Sequence, residues 1–261
     1  MKKVSQDPDV YYRLRLFNLI MGCFHFIQFG LMLYLSNNFH LPINLSYLKY
    51  ETSTQSLALA TDTIAEITIG PLVALFLLIS AIAHFSLASN WGFPWYVKNL
   101  MKHINYARWF EYAFSSSVMI VVIAMLVGIY DLGTLIPIFA INACMNLFGL
   151  MMELHNQTTD KTNWISYYFG VFAGIIPWVV IALYLGGATI ASENSIPEFV
   201  YYIFLSIAIF FNIFAINMIL QYKEIGRWKD YLHGERVYII LSLVAKSALA
   251  WQVFAGTLRP V

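Results

Sequence analysis

One lysine lies in an apolar run where a charged group is costly. Lys246 stands within the segment from Val237 to Gly256, and no acidic residue in that segment offsets its charge. A lysine at mid-bilayer costs roughly 2.5–3.5 kcal/mol on insertion scales, so such a residue indicates a functional site with a partner elsewhere. A lysine amine can pair with an anion or condense with a carbonyl compound to form a Schiff base.

The predicted partner of this lysine is Glu111, which belongs to a second apolar run. Arg108 and Glu111 are three residues apart and share a helix face, with the arginine near the interface and the glutamate one turn deeper. Ser115 lies one further turn along. The alternative is an interfacial Arg108–Glu111 salt bridge, which would leave Lys246 unpaired. Ser242 precedes the lysine by one turn, and its hydroxyl either contacts the lysine nitrogen or returns to its own backbone.

Other polar residues are predicted in the same half of the molecule as Arg108. They are His25, His84 and Glu153, although an interfacial position for Glu153 is an equally open interpretation. The opposite half is apolar, as the run from Val118 to Val127 illustrates, and the fifth and seventh apolar segments offer only Gln252 as a strongly polar candidate there. A proton or ion pump needs polar stations on both sides of its central site. This asymmetry argues against transport.

The elements that position these residues are predicted to be membrane-spanning helices. The chain of 261 residues is 60% hydrophobic and 11% charged, which is typical of an integral membrane protein. Apolar stretches long enough to cross a bilayer occur seven times, so we expect an all-α bundle of seven transmembrane helices forming a single domain over residues 1–261. The predicted helices are approximately 14–35, 64–88, 105–130, 132–153, 163–187, 197–222 and 235–258.

The distribution of positive charge predicts the orientation in the cell membrane. Twelve lysines and arginines fall in the segments on the side of the amino terminus, against two, Lys49 and Arg259, on the other side. Positive residues concentrate in cytoplasmic loops. We therefore expect a multi-pass protein with a cytoplasmic amino terminus and an extracellular carboxyl terminus.

The first outer loop, residues 36–63, has the alternation of a β-strand. Leu41, Ile43, Leu45 and Tyr47 alternate with less apolar residues, which predicts a short strand or hairpin. An exposed strand edge pairs readily with another copy, so one interpretation is a contribution to a homodimer. The other is a loop folded over its own bundle.

Three stretches of the chain resemble a known family. The run Ser242-Leu-Val-Ala-Lys246-Ser-Ala-Leu-Ala-Trp251, the run Arg108-Trp-Phe-Glu111-Tyr-Ala-Phe-Ser115 and the run from Asn142 through Met145 and Gly149 to Glu153 are similar to those of the heliorhodopsins, retinal photoreceptors of microbes with an inverted membrane orientation. The resemblance covers essentially the whole chain. The chain differs from the proton-pumping rhodopsins at two places. Those proteins carry an Asp where Ser242 stands, and their sixth helix has a Trp-x-x-Tyr-Pro element that the sixth segment of this chain lacks.

The resemblance implies a light-sensing protein rather than an enzyme, with all-trans retinal as cofactor. Retinal would be bound as a protonated Schiff base to Lys246, with Glu111 as counterion and Ser242 and Ser115 as neighbours. The retinal pocket would contain Tyr112, Asn142, Met145, Gly149, Trp178, Phe211 and Phe214, and a cytoplasmic-side polar cavity would contain His25, His84, Arg108 and Glu153. The expected output is a conformational signal to an unidentified cytoplasmic partner, without net ion transport.

Two other functions stay open at the level of sequence. One is a light-driven ion transporter or channel. The other is a retinal-free seven-helix transporter in which Lys246 and Glu111 bind an anionic substrate. The sequence has no Cys/His metal spacing, no Gly-rich phosphate loop and no nucleophile triad pattern, so no metal site is predicted. The basic loops are explained by topology, and no nucleic-acid partner is expected.

Overall fold

A computed structural model describes residues 7–191 and 197–259 of the chain. Its helices and strands follow in the order α1 (Pro8–Leu35), β1 (His40–Glu51), β2 (Ser56–Thr68), α2 (Ile69–Ala88), α3 (Gly92–Leu100), α4 (Tyr106–Leu126), α5 (Leu132–His155), α6 (Ile165–Ala191), α7 (Glu198–Tyr222), a 3-10 turn (Gly226–Lys229), α8 (Tyr231–Val253) and a π-helical turn (Phe254–Leu258).

Seven of these helices are long and apolar enough to cross a membrane within the described parts of the chain. They are α1, α2, α4, α5, α6, α7 and α8, the last continuing to Leu258. Many large apolar side chains point outward from the spans; Phe172 and Leu183 on α6 are each 69% exposed, as expected of helices that contact lipid. The prediction of an all-α, seven-helix, multi-pass membrane protein is confirmed.

Side-chain caps fix the amino ends of three spans. The carboxylate of Asp7 accepts a hydrogen bond from the Asp9 amide, the Asn105 side chain accepts one from the Arg108 amide, and Asp230 accepts one from the Leu232 amide. Such caps satisfy amide groups that have no partner within the helix. Asp230 caps the start of α8, so this helix begins at Tyr231. Lys246 lies 15 residues further on, or about 22 Å along the helix axis.

The first loop is an antiparallel hairpin, and it is longer than predicted. β1 pairs with β2 along its whole length, from His40 with Thr68 to Glu51 with Ser56, and a bulge at Ile43/Asn44 places one extra residue on β2. The predicted hairpin is confirmed. The predicted start of the second span at residue 64 is wrong, because residues 64–68 belong to β2. Their hydropathy is as suited to an apolar strand as to a helix.

The base of the hairpin folds over the bundle, whereas its tip extends outward. The Asn44 amide donates to the Tyr130 carbonyl oxygen at 2.9 Å, and Leu41 and Ile43 pack against the apolar core. Near the tip, Leu48 is 65% exposed and Leu59 is 74% exposed. The structure therefore contains the contact with its own bundle and also leaves apolar strand surface exposed; the homodimer stays a prediction.

Other predicted boundaries need correction at the span ends. The first helix starts at Pro8 rather than at residue 14, and the third span ends at Leu126 rather than at 130. The fifth extends to Ala191 rather than 187, and the last begins at Tyr231 rather than 235. Polar residues in the first turns conceal the starts of the first and last spans, whereas the apolar residues 127–130 continue the hydropathy of the third span past the end of its helix. The short helix α3, between α2 and α4, was not predicted. We call the end of the bundle that carries β1 and β2 the hairpin end, and the opposite end, which carries α3, the α3 end.

Candidate functional site

A lysine on α8 and a glutamate on α4 form a buried pair in the middle of the bundle. Lys246 Nζ donates to Glu111 Oε1 at 2.7 Å, and the two side chains are only 4% and 9% exposed. Nζ also donates to Ser242 Oγ at 2.9 Å, so the Ser242 hydroxyl faces the amine. Burial of a charge without a partner is very costly. The pairing gives the lysine and the glutamate each a partner of opposite charge.

A serine on α2 adds a second donor to the glutamate. Ser80 Oγ lies 2.6 Å from Glu111 Oε1 and 3.0 Å from the Phe76 carbonyl oxygen. Its single hydroxyl proton can serve one acceptor at a time, and an ionised carboxylate is the stronger acceptor. Three helices, α2, α4 and α8, therefore meet at one carboxylate oxygen. Ser115, one turn beyond Glu111, is fully buried beside the pair.

Arg108 does not pair with Glu111. Its guanidinium forms ion pairs with Glu153 on α5 and with Glu235 at the start of α8, and all three side chains are buried. The alternative in which an interfacial Arg108–Glu111 bridge leaves Lys246 unpaired is thus not what the structure contains. Two carboxylates share one guanidinium, so the three side chains, which we call the Arg108 cluster, carry an excess of one negative charge when both acids are ionised.

Asn105 and two aromatic rings complete the surroundings of the Arg108 cluster. The Asn105 amide nitrogen donates to Glu153 Oε2 at 2.8 Å, and its side chain donates to Glu235 Oε2 at 2.7 Å. The guanidinium carbon lies 4.7 Å from the ring centroid of Trp109 and 4.1 Å from that of Tyr238. These contacts stabilise buried charge through hydrogen bonds and cation–π interactions.

The two predicted histidines lie beside one another, His25 on α1 and His84 on α2. The rings of His25 and His84 are stacked with centroids 5.6 Å apart, and His84 Nδ1 lies 2.8 Å from Asn18 Oδ1. Within the described residues, neither ring nitrogen of His25 has a hydrogen-bond partner. The ring of His25 therefore has one donor and one acceptor nitrogen to which no described residue bonds.

A small polar cavity is lined by two of the four residues predicted for it, His84 and Arg108, whereas His25 and Glu153 do not line it. It has a volume of about 30 Å³ and is lined by residues that include Asn18, His84, Arg108, Glu111 and Glu235. One water needs roughly 10–15 Å³ of such space and several polar partners. The cavity therefore has the size and lining to hold water between Glu111 and the Arg108 cluster.

The hairpin-end side of the lysine is apolar by comparison. Along α8, Leu249, Ala250 and Val253 are fully buried, and they pack in one core with Met119 and Ile123 of α4. Polar side chains on this side pair locally: Gln252 bonds with Ser206 at 3.0 Å, and Trp251 donates to Gln28 at 3.0 Å. A larger group of buried polar side chains, which includes His84 and the Arg108 cluster, lies towards the α3 end.

An aromatic cavity extends from the lysine into the bundle. A space of about 50 Å³ begins at Lys246, Ser242 and Ser115. It shares lining residues with a larger cavity of about 400 Å³ between α4, α5, α6 and α7; the shared residues are Tyr112, Met145, Asn146, Phe211 and Phe214. The two spaces therefore adjoin, and the lysine amine lines only the smaller one.

Six of the seven predicted pocket residues line this cavity. Tyr112, Met145, Phe211 and Phe214 line both parts, and Gly149 and Trp178 line the larger one. Asn142 lines neither; its amide donates to Ser116 Oγ at 2.8 Å and to Ser117 Oγ at 3.0 Å. Asn146, one turn further along α5, lines the cavity instead. The space over Gly149 is occupied by the indole ring of Trp109, which would collide with an added Cβ.

Several residues of the site were not singled out from the sequence. They are Asn18, Ser80, Asn105, Asn146 and Glu235. Asn18 and Ser80 are polar residues inside apolar runs, and this signal was available. Glu235 stood at the predicted start of the last span, where an acidic residue is ordinarily solvent-exposed.

Comparison with known proteins gives one match that spans almost the whole chain. The family model described as Heliorhodopsin matches residues 14–258, a range that contains all the site residues named above. No curated protein matches the chain.

Proposed function

Because the chain belongs to the heliorhodopsin family, whose members are retinal-binding rhodopsins rather than classical enzymes, we propose that it is a light-sensing photoreceptor. All-trans retinal is attached to Lys246, and Glu111 is the counterion. The output is a conformational signal without net ion transport. The observation that carries this proposal is the buried Lys246–Glu111 pair, 2.7 Å apart, at the closed end of an apolar cavity.

The residues present fit this cofactor. When bound, retinal supplies an aldehyde that reacts with the lysine amine and a conjugated chain that isomerises in light. An amine at one end, and Tyr112, Trp178, Phe211 and Phe214 along the walls, suit a long apolar molecule with one reactive end. Apolar pockets with a few placed polar groups are typical of cofactor sites.

The polar residues around Lys246 Nζ would stabilise the positive charge of the protonated Schiff base and accept its proton. Glu111 Oε1 is the nearest acceptor to Lys246 Nζ, and Ser80 stabilises the negative charge of that carboxylate by donating to it at 2.6 Å. From Glu111, the small polar cavity leads to His84 and to the Arg108 cluster. A proton that leaves the nitrogen therefore has acceptors towards the α3 end.

The apolar core on the other side supports sensing over pumping. The buried side chains of Leu249, Ala250 and Val253 provide no proton acceptor between the nitrogen and the hairpin end. A proton that moves towards the α3 end must return by the same route. The test is a pH electrode in a suspension of cells or vesicles: no sustained light-dependent pH change is expected, and a sustained change would favour the light-driven transporter.

The attachment of retinal is tested by absorption spectroscopy. Purified protein supplied with all-trans retinal should gain a visible band, which the Lys246→Ala variant should lack although it elutes as a folded protein. Lys161→Ala, a change in a loop, is the matched control and should keep the band. A colourless wild-type protein would instead support a retinal-free transporter.

We further infer that the protein is a homodimer with a cytoplasmic amino terminus and a cytoplasmic signalling partner. The excess of lysine and arginine on the side of the amino terminus supports this orientation.

The exposed Leu48 and Leu59 near the hairpin tip support a contribution of the hairpin to the dimer. Replacing both with Asp should lower the dimer fraction in light scattering, and an unchanged fraction would exclude this interface.

A further inference from the structure

The short helix α3 presents an unusual exposed face at one end of the bundle. Trp91, just before the helix, is 76% exposed, and Trp95 and Met101 are each 47% exposed. Lys98 and Lys102 are exposed on the same stretch. Trp91, Trp95, Lys98 and Lys102 are three or four residues apart in succession, and Met101 adjoins Lys102, so these side chains form one stripe along this stretch. The stripe combines three large apolar side chains with two ammonium groups.

The opposite face of α3 is fixed to the bundle. Tyr96 and Leu100 are 1% and 0% exposed and pack in one cluster with Leu14 of α1 and Leu232 of α8. Arg15 of α1 donates to the Ala88 carbonyl oxygen at 2.7 Å, where α2 ends. Its guanidinium also lies 5.0 Å from the Phe93 ring centroid. The helix is therefore held at the level where the spans end, and its exposed face has a defined position.

That level is the interfacial zone of a bilayer. Only residues 89–91 separate the end of α2 from the start of α3, so α3 cannot lie far from the lipid headgroups. Tryptophan side chains concentrate at this depth, and lysine stems cross apolar surface to place their charge among headgroups. In water, by contrast, the exposed indole rings of Trp91 and Trp95 would contribute no stabilising burial of apolar surface.

The two lysines have no acidic partner in the described parts of the chain. No carboxylate among residues 7–191 and 197–259 forms an ion pair with Lys98 or Lys102. Both line a wide cleft of about 590 Å³ whose other walls are the apolar side chains of Phe93, Pro94, Val97 and Met101. The cleft therefore combines two positive charges with an apolar wall, which matches a molecule with an anionic head and a hydrocarbon tail.

We propose that the exposed face of α3 binds an anionic phospholipid of the adjacent leaflet. Lys98 and Lys102 hold the phosphate-bearing headgroup, and Trp95 and Met101 contact the acyl chains. A partner protein is a poorer match, since a stable interface buries about 800 Å² per side and α3 has nine residues. A free phosphate ion would make no use of the apolar wall. The proposal does not depend on the binding of retinal.

The test is fluorescence quenching by lipids with brominated acyl chains. The full chain is reconstituted in vesicles of phosphatidylcholine and phosphatidylglycerol, with the bromine on one lipid or on the other at the same mole fraction. The signal of the α3 face is the difference between the wild-type protein and the Trp91→Phe/Trp95→Phe variant. We expect brominated phosphatidylglycerol to quench this signal more strongly than brominated phosphatidylcholine.

The lysine variants show whether charge recognition causes the preference. A lysine at a membrane surface changes anionic-lipid binding by about fivefold, so Lys98→Gln/Lys102→Gln should remove most of the preference. Lys161→Gln/Lys223→Gln, which removes two basic residues from other loops, should keep it. Equal quenching by both lipids in the wild-type protein would overturn the proposal.

Other occupants give distinct results, each of which would also overturn it. Absence of quenching by either lipid would place the face in water or against protein. Quenching that falls as the protein-to-lipid ratio rises would indicate a second copy of the chain. Loss of the preference on addition of inorganic phosphate, but not of chloride at equal ionic strength, would indicate a site for the free anion.

Discussion

Replacement of Arg108 is expected to destabilise the protein far more than replacement of either of its acidic partners. Arg108→Leu leaves Glu153 and Glu235 buried together without a counter-charge, whereas Glu235→Gln leaves a balanced Arg108–Glu153 pair. Removing one partner from a buried ion pair costs about 3–5 kcal/mol because a charge remains uncompensated. Glu235→Gln should cost only about 0.5–1.5 kcal/mol, the usual contribution of a hydrogen bond.

The free energy of unfolding can be measured by far-UV circular dichroism in mixed micelles with increasing dodecyl sulfate. Arg13→Leu, at an exposed position of α1, is the matched control and should change stability by less than about 0.5 kcal/mol. The triple variant Arg108→Leu/Glu153→Gln/Glu235→Gln should recover much of the lost stability, since it has no unpaired buried charge. If Glu235→Gln costs as much as Arg108→Leu, or if the triple variant recovers nothing, the electrostatic explanation is refuted.

Three further changes probe the pair and its pocket. Glu111→Gln should move the visible band of the retinal-loaded protein to longer wavelength, because a negative charge beside the nitrogen is lost; an unchanged spectrum would exclude Glu111 as counterion. Ser80→Ala should move the band by a smaller amount, since it removes one donor to Glu111 Oε1, and no movement would show that Ser80 bonds only its own backbone. Gly149→Ala should destabilise the protein by about 1–3 kcal/mol, because the new methyl group collides with Trp109. Gly30→Ala, which has no neighbour within 4 Å, should be neutral or stabilising, and equal effects of the two glycine changes would disprove the steric argument.

The sequence predicts the spans and the central pair because both depend on strong local signals. A charged residue within an apolar run is rare, and Lys246 and Glu111 are such residues on different helices. Their contact then follows from the high energy of leaving either one unpaired. The hairpin was also predictable in kind, from the alternation around Leu41 and Ile43.

The rest depends on tertiary contacts that local patterns do not contain. Residues 64–68 continue the hydropathy of the second span, and only pairing with β1 assigns them to a strand. Asn142 and Asn146 lie one turn apart on α5, so periodicity alone cannot decide which of them faces the cavity. Glu235 resembles an interfacial acid until Arg108 and Asn105 are seen to bond with it. Helix α3 is short and mixed in composition. Its apolar face can be recognised only from the contacts that Tyr96 and Leu100 make with the bundle.

The central claim is that retinal is attached to Lys246 beside Glu111. The most direct measurement is reduction of the retinal-loaded protein with borohydride, followed by peptide mapping with mass spectrometry. The result expected is a retinyl adduct on the peptide that contains Lys246 and on no other lysine peptide. An adduct on a different lysine, or no adduct in a protein that has bound retinal, would contradict the claim.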